Sequence, residues 1–217
     1  MCIGIDTSES LGGLAEADAC ALADVANRQG FCSSTLLLGA AATRARVCGR
    51  LREAAAECRA GDLFLITFSG HGGRRPCTGG ALRSGLHGVW VLFDGSLDDC
   101  EMHDALAAFQ PGVRVLVISD SCNGGVPGEP QDTPPVQVAA SVLVLSACAP
   151  DRNADAAGMP GHFTTALLRT WQQRRRIASY RRFHELIAAD MPAYQQPNYY
   201  WVGPRDERFE AEVPFTI

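Results

Sequence analysis

Two short motifs in this 217-residue chain carry residue types able to break a peptide bond. Ser69-Gly-His-Gly72 sets a histidine between glycines. Asp120-Ser-Cys-Asn-Gly124 sets a cysteine two places behind an aspartate, and Cys122 follows His71 by 51 residues. A free thiol has a pKa near 8.5, so only about 3% is thiolate at neutral pH. A histidine within hydrogen-bond reach can take the thiol proton and later protonate the leaving amine. The oxyanion of the tetrahedral intermediate also needs backbone N–H donors. The N–H groups of Gly72 and Cys122 are the candidates, since glycines beside His71 leave the backbone bare and approachable.

Both motifs sit where an apolar run ends. Residues 63–68 and 113–118 read as strands covered on both faces, and 141–145 reads as a third that enters Ser146-Ala-Cys-Ala-Pro-Asp151. Strands are also expected at 1–6, 31–38 and 89–93, with 195–203 as loop or strand and 209–217 as a last edge strand. Helical spacing marks 14–28, 43–59 (Thr43 as N-cap), 97–109, 162–173 and 180–191. The glycine-rich segments 72–88 and 124–135 read as loops. The alternation predicts an α/β fold, one domain over 1–217, with a mainly parallel central sheet of about six strands and helices on both faces. In such sheets ligands bind outside the carboxyl ends of the strands, the edge at which His71 and Cys122 would meet.

Hydrophobic residues make up 47% and charged residues 20%, which suits a folded core. The net charge of −5 argues against nucleic-acid and anionic-membrane partners. No apolar run approaches the ~18 residues of a membrane span, and the first residues lack the features of a signal peptide. Nine scattered cysteines without a Cys-x-x-Cys pair argue against zinc or a disulfide framework and for a reducing cytoplasm. All 19 basic residues are Arg.

Taken together, the two motifs and their spacing resemble those of the caspase-like cysteine peptidases, and most of all the metacaspases and their prokaryotic relatives. The resemblance runs from Ile3-Gly-Ile-Asp6 to Val213-Pro-Phe-Thr-Ile217. It implies a caspase-like fold and a cysteine endopeptidase with His71 as base and Cys122 as nucleophile. Caspases carry Gln two places before the cysteine. Asp120 stands there, as in metacaspases, and implies an acidic pocket for a substrate Arg, with Lys weaker. Ser69 and Asp18 match the other pocket positions. Ala15 and Asn123 depart from the pattern, where many metacaspases have Cys and His.

The resemblance also implies protein or peptide substrates and no required cofactor. Calcium is a further expectation, with Asp94, Asp98, Asp99 and Glu129 as its ligands. His87, His103, His162 and His184 are read as structural. A caspase-fold scaffold without turnover stays open as an alternative, as does a phosphoacceptor built on Asp6 and Asp94. Segment 123–140 holds no Arg, so an Arg-specific enzyme would not cut itself there. It would work uncut, be cut after Arg74 or Arg83, or depend on an upstream activating protein or protease.

Overall fold

The computed structural model describes residues 1–6, 13–76, 86–121, 136–147, 161–173, 177–192 and 195–217. Apolar runs form β1 (Cys2–Gly4), β3 (Leu63–Ser69), β7 (Arg114–Asp120) and β8 (Ser141–Ser146), with β2 (Leu36–Leu38) and β9 (Asn198–Val202) at the edges. They pair in the order β2-β1-β3-β7-β8-β9. All neighbours are parallel except β9, which runs antiparallel to β8. The expected mainly parallel six-stranded sheet is present.

Successive side chains of a strand point to opposite faces, and that alternation splits the core in two. Leu65, Leu116, Ile118, Leu143 and Leu145 pack under α1 (Leu14–Arg28), α4 (His162–Gln172) and α5 (Tyr180–Asp190). Ile66, Phe68, Val115, Val117 and Val144 pack under α2 (Arg44–Glu57) and α3 (Asp99–Ala107). The residues at the strand ends inherit the same division. No helix among the described residues is long and apolar enough to cross a membrane.

Several boundaries differ from expectation. The first part of 72–88 is not loop: Gly72–Pro76 is β4, which pairs antiparallel with β5 (Leu86–Leu92), and β5 pairs with β6 (Gly95–Asp98). Glycines read as loop chemistry, but pairing with β5 holds this segment extended all the same. Because β6 takes 95–98, the helix expected at 97–109 starts at Asp99. Asp98 caps it, accepting from Glu101 N–H at 2.8 Å in a capping box. The strand expected over 31–38 shrinks to β2.

The edge strand expected at 209–217 is absent. Asp206 accepts from the N–H groups of Arg208 and Phe209 and starts the short helix α6 (Glu207–Ala211). Phe209 and Phe215 are both fully buried, edge-on to Tyr180 and Trp171 respectively, so the alternating apolar residues of this segment serve an aromatic cluster rather than one face of a strand.

At Gly4 helix α1 comes close against the sheet. A Cβ there would lie 2.4 Å from Ala15 O and 2.8 Å from Ala19 Cβ. Gly4→Ala must push α1 off β1, at a cost of about 3 kcal/mol. Thermal melting should show a fall in Tm of about 6–12 °C for a chain of this size. An unchanged Tm would mean that the contact is not that tight.

Candidate active site

Strand order reverses between β1 and β3, the point of an open α/β sheet outside whose carboxyl strand ends ligands bind. In the β3–β7 register Ser69 lies opposite Asp120, so both side chains leave the sheet on the α1/α4 face. Both are buried, at 1% and 2% exposure. Ser69 Oγ donates to Asp18 Oδ2 of α1 at 3.1 Å. Asp120 Oδ2 accepts from Thr164 N–H at 2.9 Å, in the first turn of α4. The carboxylate thereby takes one of the donors that a helix N-terminus leaves over, at its positive dipole end. Gly161, the N-cap of α4, places its Cβ direction 3.5 Å from Asp18 Oδ2, so the two acidic side chains meet at the mouth of that helix.

Electrostatics follow from this crowding. Burial and then the neighbouring charge of Asp120 push the Asp18 carboxyl up to about 7, against the Ser69 hydrogen bond and with a smaller push from Asp6. Burial also pushes Asp120 up, opposed by the N–H groups of Thr164 and Gly161 and by His162. A partly buried and a fully buried carboxyl group therefore act on one another.

His71 is partly buried, two residues beyond Ser69. Its carbonyl accepts from Val91 N–H at 2.9 Å. That bond makes 71 and 91 a hydrogen-bonded pair. By the alternation of antiparallel ladders, Gly72 opposite Trp90 is a non-hydrogen-bonded pair. β4 is the edge of its three-stranded sheet, so the Gly72 N–H points off that edge, away from β5. Cys122 and Glu129 lie outside the described residues, as do segment 123–135 and Arg83. Ser121, immediately before Cys122, is 4% exposed. Arg74 is exposed but belongs to β4, paired with Gly88, so a cut there needs local unpairing.

The remaining acids hold backbone. Asp6 accepts from Ala15 N–H at 3.2 Å and Glu16 N–H at 3.1 Å, anchoring the start of α1. Asp94 accepts from Arg44 N–H at 2.7 Å, at the start of α2. Asp98 caps α3, and Asp99 accepts from Gly88 N–H at 3.1 Å. The phosphoacceptor reading loses its two carboxylates to helix starts. Asp98, Asp99 and the Cys100 sulfur do share one small volume. Calcium takes six to eight oxygens, and two engaged carboxylates beside a thiol are a poor fit to it.

Sequence reasoning missed the first turn of α4 as the support of Asp120. The glycine at 161 was a signal for an N-terminus, but nothing local says which strand end it faces. Among the histidines read as structural, His184 fits that role: it is near Pro197 O at 3.1 Å, and burial lowers its pKa.

Residues 3–207 match the model of the caspase domain, a peptidase family. The chain belongs to the caspase-domain family. The Metacaspase-1B proteins of Aspergillus fumigatus and Aspergillus clavatus are similar to it. The first is 34% identical over 88 residues, 38% of this chain and 22% of that protein. The second is 39% identical over 74 residues, 32% of this chain and 18% of that protein. The match thus spans about a fifth of those relatives' length. The crystal structure of a Geobacter sulfurreducens protein superposes with a TM-score of 0.83 at 32% identity, covering 100% of this chain and 97% of that one. Caspase-1 of Spodoptera frugiperda superposes at 0.54 with 14% identity over 88% and 79% of the two chains, a likeness of caspase fold alone.

Proposed function

We propose that this caspase-domain chain acts as one unit over 1–217, a cysteine endopeptidase that cleaves protein substrates after Arg and, more weakly, after Lys. The observation that carries the reading is the meeting of Asp18, Ser69 and Asp120 at the strand ends, with Asp120 and Asp6 as the acids that act on Asp18. A guanidinium offers five donors in a rigid fork, suited to carboxylates on two elements, whereas an ammonium acts as a point charge. In the proposed cycle His71 takes the Cys122 proton and the thiolate sulfur attacks the carbonyl carbon. The oxyanion is met by the N–H groups of Gly72 and Cys122. Collapse of the tetrahedral species breaks the C–N bond, and His71 returns the proton to the leaving amine. A water, deprotonated by His71, then hydrolyses the thioester and restores the thiol.

No cofactor enters this cycle, so turnover should persist in EDTA. The metacaspase likeness and the direction of the Gly72 N–H, off the β4 edge and away from β5, support the reading.

The test is a set of fluorogenic peptides that differ only in the residue before the cut: Arg, Lys, citrulline, Asp and Leu. Arg should lead Lys by about tenfold and the uncharged or acidic residues by at least about a hundredfold, as expected for losing a charge-paired contact. Comparable cleavage after Asp or Leu would overturn the specificity, and no turnover of any peptide would favour the scaffold.

A further inference from the structure

On the sheet face opposite the acidic pocket, one fully buried side chain touches both segments that deliver the reactive pair. Trp90 of β5 is 0% exposed and stacks on Phe68 of β3, with ring centroids 4.6 Å apart and planes 8° from parallel. Phe68 lies three residues before His71. Trp90 stands opposite Gly72 in the β4–β5 register, and the next residue, Val91, holds the His71 carbonyl. The indole N–H, which can only donate, gives its hydrogen bond to Ser119 Oγ at 3.1 Å. Ser119 Oγ is 3.0 Å from Ser121 Oγ. Both hydroxyls are buried, and Ser121 is the residue before Cys122.

We propose that Trp90 is a positioning residue for the Cys122–His71 pair, fixing the strand that delivers the histidine against the strand that delivers the cysteine through Phe68 and the Ser119–Ser121 hydroxyls. The inference rests on the peptidase reading above. Its physical basis is that a general base and its nucleophile work only within a narrow distance, and a misplacement of about 1 Å costs about a hundredfold in rate. Core packing alone would be served by Phe at 90. The feature that packing does not require is the donor aimed at β7.

Trp90→Phe keeps a ring against Phe68 and deletes the N–H; Ser119→Ala deletes the acceptor from the other side. Each should lower kcat by about 10–100-fold, with KM within about twofold of wild type. The double variant should be no worse than either single one, because both break the same link. A second readout does not depend on turnover: the pH profile of iodoacetamide alkylation, followed at Cys122 by peptide mass spectrometry. In wild type its midpoint should lie below that of an ordinary thiol, and in both variants it should move up toward about 8.5. Wild-type kcat and alkylation midpoint in the variants would overturn the proposal, as would losses that add in the double variant or raise KM in step. A wild-type Cys122 that alkylates as an ordinary thiol and turns over nothing would instead overturn the peptidase reading, and this proposal with it.

Discussion

Cys122→Ala is expected to abolish peptide hydrolysis while leaving the fold in place. The methyl group offers no lone pair to attack the carbonyl, and no other nucleophile is assigned a place in the cycle. Removing the nucleophile of a hydrolase that works through a nucleophile–base pair costs on the order of 10⁴–10⁶ in kcat, the remainder coming from binding and the oxyanion donors. His71→Ala should fall nearly as far, and the double variant no further, because the two residues act as one device. The measurement is initial rate on the Arg peptide with far-ultraviolet circular dichroism as the control of folding. Turnover in Cys122→Ala above about a thousandth of wild type would mean that another group carries the reaction.

Asp18 should make recognition of Arg depend on pH in a way that recognition of a neutral analogue does not. Its carboxyl, held up to about 7 by burial and by Asp120, must be ionised to pair with a guanidinium. Binding the cation therefore expels a proton below pH 7. The ratio of kcat/KM for Arg to that for citrulline should rise about tenfold per pH unit up to about 7 and level off above it. Taking the ratio cancels the titration of Cys122 and His71, which act on both peptides alike. The groups acting on Asp18 are Asp120 from β7, Asp6 beyond β1 and the Ser69 hydroxyl from β3, and the two charges among them are both negative. Asp18→Asn should flatten the profile and lower kcat/KM for Arg at pH 8 by about 10²–10³-fold. An Asp18→Asn variant with the wild-type ratio at every pH would remove Asp18 from the pocket.

The same raised carboxyl has a consequence for stability. Its folded pKa lies above the unfolded value, so between about 4 and 7 the folded state binds more protons. The contribution of Asp18 to stability is therefore most favourable at the acidic end and is lost as pH rises through about 7. In the proposed function the pocket would be held ready for a cation at a cost to the empty protein.

Parts of this arrangement were legible in the residues and parts were not. The helix at 14–28 was readable to the residue, since its apolar spacing is unbroken and a glycine follows. Thr43 was readable as a cap, and it does accept from Arg46 N–H at 3.3 Å. The strands that end in the two motifs were readable because both their faces are buried, which gives a continuous apolar run. The β4–β5 pairing was not, because glycines and a proline carry loop chemistry and the partner strand supplies what local preference lacks. Nor was α6, whose apolar residues alternate in sequence but fold into an aromatic cluster. The Trp90–Ser119 bond joins residues 29 apart on different sheets, and no period or motif points across that distance.

The division of the sheet into two faces also shapes how a chain like this can change over generations. Ser69 and Asp120 look toward α1 and α4, while their neighbours Phe68 and Ser119 look toward Trp90. If the pocket is as proposed, a drift of residues in the α1 and α4 layer would redraw which side chain is accepted without disturbing what lies beneath the other face. Substitutions behind the sheet, by contrast, would on the proposed reading alter how well the site is held rather than what it accepts. The seven-residue pairing of β3 with β7 acts as a partition between these two kinds of inheritance. A slip of one residue in that pairing would turn each strand's side chains to the other face and merge them.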